Sequence, residues 1–276
     1  MSGPVVILIF THKADLACHE KISLQQCCRV LGKHPIRLVC PEGLDLAAYR
    51  AIVPEIQTDF IPRHWLASLH AYNRLKILPW LYRRYVGFEY ILTYELDAFV
   101  FRDELLDWCA KGWDYIGAPW FEGYHLAMPD ARPCGVGNSG FSLRRTQAML
   151  RVSRTWRSWK PASEVMQEWR QGKRSLKGAL AAMAFRDNFY GPLNNYQGQE
   201  DFFWCLLATR RFPWFRLAPH EAACKFSFEV NPSRLFRECG DRLPFGCHKW
   251  MSLEQEFWKR HIQSFGYKLS GRSVTG

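Results

Sequence analysis

The 276-residue chain has no Cys-x-x-Cys pair, although it carries ten cysteines. Without that spacing a structural zinc site has nothing to build on, and in a chain of this size the thiols are expected to be free. A long apolar run is also missing. The longest near the N-terminus is Val5-Val6-Ile7-Leu8-Ile9-Phe10, far short of the roughly 20 residues that span a bilayer. No basic segment precedes it, and Thr11-His12-Lys13 follows where a small-residue cleavage site would stand. No signal peptide is therefore expected, and the chain is read as cytoplasmic, with the inner face of the membrane as its peripheral alternative. Internal repeats and low-complexity segments are absent as well. Acids are the scarcer charge: 26 Asp and Glu against 37 Lys and Arg leave a formal charge of +11. Such a surface attracts polyanions, whether nucleic acid, anionic lipid or phosphorylated substrates.

What is present belongs to an ordinary globular protein. Apolar residues at 48% and charged residues at 23% exclude disordered, collagen-like and coiled-coil chains. Aromatics at 15% suit a large core and equally suit pockets that stack on planar rings. The apolar run over 4–10 reads as a strand buried on both faces, residues 14–32 as a helix, and Ile36-Arg-Leu-Val-Cys40 as a second strand. Together they predict a β-α-β unit opening an α/β fold. Helical periodicity over 66–85 is broken at Pro79, and Tyr90 to Tyr94 is the next buried strand. Between 151 and 180, eight basic residues stand against Glu164 and Glu168, which predicts a solvated helical insertion. Gly198 to Leu207 resumes an apolar helical pattern, and 266–276 reads as a flexible tail.

Four constellations could carry chemistry. In Tyr90-Ile-Leu-Thr-Tyr-Glu95-Leu-Asp97 a buried strand runs into two acids one residue apart. In extended chain this puts both carboxylates on one side, about 6.6 Å apart at the backbone, where one divalent ion could take both; a strand-end turn with solvated acids is the plainer alternative. Cys134-Gly-Val-Gly-Asn138-Ser139-Gly140 contains G-x-G-x-x-G, but Pro129 to Pro133 precedes it and basic residues follow, so the dinucleotide fingerprint is rejected. What survives is a glycine-rich loop that lets backbone approach a ligand closely, with Asn138 and Ser139 as hydrogen-bonding groups. Gln199-Glu200-Asp201 opens an apolar helix, either as a helix-end charge or as a general base facing an aromatic cleft. In Pro244-Phe-Gly-Cys-His248-Lys249-Trp250, His248 is a candidate metal ligand and Lys249 a candidate phosphate contact.

Taken in order, Glu95-x-Asp97, the Gly-Asn-Ser-Gly loop, Gln-Glu-Asp and the late His resemble the layout of GT-A fold glycosyltransferases. Tyr72-Asn-Arg-Leu75, Tyr94-Glu-Leu-Asp-Ala-Phe-Val-Phe101, Asp114-Tyr-Ile-Gly-Ala-Pro-Trp120, Gly137-Asn-Ser-Gly-Phe-Ser-Leu143, Glu200-Asp-Phe-Phe203 and Pro244 to Trp250 narrow the resemblance to a bacterial family of little-characterised glycosyltransferases. It spans the chain from about its N-terminus to Trp250. The resemblance implies a single α/β domain over 1–265, GT-A-like, with a mixed, mainly parallel sheet flanked by helices. Residues 1–130 would form the nucleotide-sugar and metal half, and 131–265 the acceptor half carrying the basic insertion.

The resemblance also implies roles. Asp97 is the principal metal ligand, Glu95 a second ligand or a ribose contact, and His248 completes the metal site. Asp201 is the catalytic base, which would invert the anomeric centre. Thr11, Asn73, Asn138, Ser139, Gly140, Glu200 and Lys249 are implied to bind donor or substrate. A divalent cation, Mn2+ or Mg2+, is the expected cofactor and a nucleotide sugar, by default a UDP-sugar, the co-substrate. The acceptor would be a glycan or glycoconjugate of polysaccharide synthesis, with an anionic membrane or polyanionic acceptor as a peripheral contact and no obligate protein partner. The competing readings are a glycosyltransferase acting on DNA, a non-catalytic nucleic-acid-binding protein and a metal-dependent phosphohydrolase. Converging acids argue against the plain nucleic-acid binder.

Overall fold

The computed structural model describes residues 3–155, 157–158, 160–183 and 196–269. Strand β1 (Gly3–Phe10) is sealed from Val5 onward, and its side chains alternate between two cores: Val6, Leu8 and Phe10 enter one, Val5, Ile7 and Ile9 the other. A strand buried on both faces belongs at the centre of a layered sheet. There β1 pairs in parallel with β2 (Ile36–Pro41) on one side and β4 (Phe88–Tyr94) on the other. Strand β3 (Gln57–Ile61) extends the parallel part beyond β2. On the far side β9 (Phe141–Arg145) runs antiparallel to β4 and to β6 (Tyr115–Ile116), giving a six-stranded sheet of order β3-β2-β1-β4-β9-β6. The mixed, mainly parallel sheet flanked by helices is thus present.

The expected helix over 14–32 forms as Cys18–Leu31, and Pro79 separates Leu69–Ile77 from Pro79–Arg84 by opening the second helix at its first turn, where a missing N–H costs nothing. Two smaller ladders complete the fold. β7 (Ala118–Phe121) pairs antiparallel with β8 (Pro133–Gly137), while β5 (Phe99–Val100), β10 (Ser227–Phe228) and β11 (Gly246–Cys247) form a three-stranded sheet over a third core. Among the described residues no helix is long and apolar enough to cross a membrane. All ten cysteines are free thiols.

Two sequence expectations need correction. The basic segment does not begin at 151: Arg151 belongs to a helix over Thr146–Ser153 that follows β9, and its guanidinium lies 4.0 Å from the Trp214 ring centroid. Helices Ala162–Arg170 and Leu176–Met183 then close a small core of their own around Val165, Ala179 and Ala182. The two halves share one sheet, since β9 sits between β4 and β6. Finally, Gly266 to Leu269 are not a free tail. The Tyr267 hydroxyl donates to Gln26 at 3.1 Å and its ring packs on Phe99 and under Arg29; residues 270–276 lie outside the described residues.

Gly135 and Gly137, taken from sequence as part of a loop, stand in β8, and there Gly137 leaves room for a ring. A Cβ on Gly137 would lie 2.1 Å from Trp120, a distance no real contact permits. Gly137→Ala is expected to cost about 1–3 kcal/mol through overpacking, read as a lower midpoint in urea unfolding. An unchanged midpoint would mean that Trp120 is not held there.

Candidate active site

Parallel strands β1 and β4 end at the same edge, so Thr11 and Glu95 leave the sheet side by side. Because β9 is antiparallel, its start lies at that edge too, with Phe141 opposite Tyr94. The Glu95 amide donates to the Gly140 carbonyl at 2.7 Å and the Ala98 amide back to Glu95 at 2.8 Å. Residues 95–98 are therefore a tight turn, not the extended chain expected from the spacing of the acids. The third contributor arrives from the small sheet: Cys247 pairs with Phe99, and the His248 amide donates to the Phe228 carbonyl at 3.0 Å. Glu95, Asp97 and His248 consequently present one ligand atom each, all within 4.8 Å of one another.

His248 is the buried member. Its Nδ1 is 3.0 Å from Glu229 Oε1, whereas its Nε2 stands 3.0 Å from Asp97 Oδ1 and 3.5 Å from Glu95 Oε2 without an aligned hydrogen bond among the described residues. Burial alone would lower the imidazole pKa, but the charges of Asp97, Glu229 and Glu95 raise it well above the usual histidine range. An orphaned ring nitrogen aimed at two carboxylates, with the other nitrogen fixed by a third, is the donor set of a cation site with its orienting carboxylate. Gly140 makes room for it, since a Cβ there would fall 2.0 Å from Nε2. The residues present therefore fit a divalent cation.

Glu95 divides its two oxygens. Oε1 accepts from the Tyr72 hydroxyl at 2.8 Å and from Lys76 Nζ at 2.8 Å, which leaves Oε2 toward His248. Burial would raise this carboxyl, yet Lys76 and then His248 outweigh it and hold it well below the usual carboxylate range. Lys76 is fully buried, donates also to Ser139 Oγ at 2.8 Å and lies 4.0 Å from the Tyr72 ring centroid. In front of the turn opens a cavity of about 490 Å³. Thr11, Lys13, Tyr72, Glu95 and Asp97 are in its wall together with apolar Phe10 and Leu66.

The remaining expected site residues divide into two groups. Asn138 and Ser139 meet the cluster as supports. Asn138 Oδ1 accepts the amides of Gly140 and Phe141 at 2.8 Å each, and its Nδ2 donates to Glu229 at 2.9 Å. Lys249 pairs with the same Glu229 at 3.0 Å. Asn73 and Glu200, expected at the donor, are turned inward. Asn73 Oδ1 accepts the Glu200 amide at 3.0 Å, so it caps the helix that begins there, the part sequence offered to the acids themselves. The Glu200 carboxylate is wholly buried against Arg144, at 2.7 and 2.9 Å. Asp201, almost as buried, accepts the Phe202 amide at 2.9 Å, and its carboxyl is pushed up to about 7 by burial, then by the Glu200 and Glu229 charges.

Sequence reading assigned no role to Lys76, Arg144 or Glu229. The signal for two of them was there: Lys76 stands between Leu75 and Ile77, and Glu229 between Phe228 and Val230, charges in apolar company like the Glu95 that was noticed. Glu229 is lowered to about 2, with burial opposing and His248 and Lys249 prevailing.

Residues 55–248 match a protein family described as "Protein of unknown function (DUF5672)". No curated protein matches the chain. Among solved structures it is similar to mouse xyloside xylosyltransferase 1 in its apo form, at a TM-score of 0.47 and 14% identity over 89% of this chain and 98% of that one. A glycosyltransferase involved in the glycosylation of the major capsid of PBCV-1 aligns at a TM-score of 0.46 and 10% identity, covering 95% and 100%. The galactosyltransferase LgtC, in complex with donor and acceptor sugar analogs, aligns at 0.47 and 12%, covering 96% and 98%.

Because Glu229 fixes the ring that aims Nε2, Glu229→Gln is expected to weaken manganese binding by about 10–100-fold, measured by isothermal titration. Wild-type affinity in a folded variant would remove Glu229 from that part.

Proposed function

This chain belongs to the DUF5672 family, and we propose that it is a glycosyltransferase which moves a sugar from a nucleotide-sugar donor to a hydroxyl of a glycan or glycoconjugate acceptor. One observation carries the reading: Glu95, Asp97 and the unbonded His248 Nε2 converge at the carboxyl edge of a mainly parallel sheet, where such sheets take their ligands, beside a cavity of the size a small ligand needs. The order of motifs resembling GT-A enzymes supports the same reading.

Asp97, His248 and the free oxygen of Glu95 would hold the cation. Two carboxylates and an imidazole suit Mn2+, and Mg2+ less because of the nitrogen. When bound, the ion supplies positive charge against the developing charge on a diphosphate leaving group. The protein's own groups do the rest. The cavity orients the donor between the end of β1 and Tyr72, with Lys13 near enough to meet phosphate once released from Glu20, to which it is paired at 2.9 Å. Asp201 is the proposed base: its carboxylate takes the proton of the acceptor hydroxyl, the oxygen lone pair forms the new bond to the anomeric carbon, and the bond from that carbon to the diphosphate oxygen breaks with its electrons on the leaving group. Attack from the face opposite the diphosphate inverts the anomeric centre. A cytoplasmic site of action and a role in polysaccharide synthesis complete the proposal.

A thermal-shift screen of nucleotide sugars, UDP-sugars first, with and without manganese tests the donor site. The expected result is a rise in melting temperature that needs both manganese and Asp97 and is lost in Asp97→Ala. No shift with any nucleotide sugar, in folded protein, would overturn the transferase reading and favour the nucleic-acid binder.

The raised Asp201 pKa sets a pH profile. A base must be deprotonated, so turnover is expected to climb with pH and level off above about 7. Asp201→Asn should lose the chemical step by a factor of about 100 or more while keeping the donor thermal shift. Product of retained anomeric configuration, seen by NMR, would take the base role from Asp201.

A further inference from the structure

Directly after Asp201 comes an aromatic stack that the donor and cation sites do not use. Phe202 lies on Trp120 with ring centroids 4.8 Å apart and planes at 26°, and Tyr124 leans on both, 4.8 Å from Phe202 and 5.7 Å from Trp120. Trp120 in turn rests on the Gly135 and Gly137 backbone of β8. Three residues further along the same segment, Gly140 abuts His248. The stack is therefore continuous with the candidate site through Asp201 on one strand of chain and Gly137 to Gly140 on the other.

Tyr124 is held there against its own preference. It has φ of 52° directly after Gly123 at 89°, a left-handed pair that an ordinary side chain adopts at a cost. The residue is 38% exposed, and its hydroxyl makes no hydrogen bond among the described residues. The loop bearing it is tied down through its backbone: the Glu122 amide donates to Arg132 at 2.9 Å and Arg234 Nη1 to Ala131 at 2.6 Å at its base, and Asn231 Nδ2 to the Met128 carbonyl at 2.9 Å nearer its tip. At the tip, Leu126 and Met128 are 76% and 67% exposed. A rigidly based loop that spends backbone strain and apolar surface beside a buried carboxylate has the makings of a binding surface.

We propose that Tyr124, Phe202 and Trp120 form the acceptor subsite, and that the acceptor is a glycoside whose sugar ring lies on the Tyr124 and Phe202 faces while an apolar aglycone crosses Leu126 and Met128. This rests on the transferase reading. Sugar rings present C–H faces that pack on aromatic rings, and the polar tip of Tyr124 remains for a ring hydroxyl. Trp120 of the stack backs onto Gly137, three residues before the Gly140 that abuts His248, which sets such a ring beside the candidate site.

The test uses the full chain with the donor identified by thermal shift, and octyl and methyl glycosides of common hexoses as acceptors. Octyl glycosides are expected to be the better substrates of each pair. Tyr124→Ala should raise the acceptor KM by about tenfold, the equivalent of roughly 1.4 kcal/mol, with the donor dissociation constant within twofold of wild type. Tyr124→Phe should keep most of the acceptor affinity, and Leu126→Ser with Met128→Ser should abolish the advantage of octyl over methyl. An acceptor KM unmoved in Tyr124→Ala, in protein that still binds donor, would overturn the subsite alone. If wild type binds no nucleotide sugar, the transferase reading falls and the subsite with it. Should Tyr124→Ala fail to fold, saturation-transfer NMR of octyl β-glucoside and its methyl counterpart on wild type and the Leu126→Ser, Met128→Ser variant decides it: equal transfer from both proteins would overturn the proposal.

Discussion

Charge held where water is scarce governs this molecule. At the carboxyl edge of its central sheet, Glu95, Asp97, Glu200 and Glu229 cluster with four cationic side chains, and each of these acids has lost most of its hydration. A buried carboxylate persists only if a partner is fixed beside it. Lys76 serves Glu95, Arg144 serves Glu200 with a two-pronged fork, and His248 with Lys249 serves Glu229. Because each cation comes from a different stretch of chain than its acid, satisfying these charges pulls the helix over Leu69–Ile77, strand β9 and the segment after β11 to one place. Among the described residues Asp201 has no such partner, and its carboxyl is raised by burial and by the Glu200 and Glu229 charges.

The network also explains why one oxygen of Glu95 and one nitrogen of His248 are left over. Lys76 and Tyr72 engage Oε1, and Glu229 engages Nδ1. The unused atoms face each other and Asp97, with no room for a side chain at Gly140 to come between. A site of this kind is arranged before any ligand arrives: its supporting contacts are made within the protein, and its unsatisfied atoms point to the same small volume.

Much of the fold was legible in the order of residues. The uninterrupted apolar run of β1, the break at Pro79 and the recurrence of buried strands each report a local preference that the tertiary structure did not need to override. Asp97, Glu95 and His248 also stood out, because polar residues at the ends of apolar runs are costly unless something uses them, and the fold brings the three together. The extended geometry for the acid pair failed because it assumed that a side chain addresses its neighbours in sequence, whereas residues 95–98 turn back on themselves. Likewise Glu200 stands at the start of its helix but its carboxylate faces Arg144, and the cap comes from Asn73 far along the chain.

By itself, then, the sequence determined the alternation of strands and helices, the buried centre of the sheet and the residue types able to hold a cation, since these follow from apolar patterning and from the cost of lone charges. The tertiary structure alone decided which charges meet. Glu95 with Lys76, Glu200 with Arg144, and His248 between Asp97 and Glu229 are pairings across many residues of chain. Electrostatic and hydrogen-bond energies depend on separation in space, over a few ångströms, and distance along the chain carries no record of it.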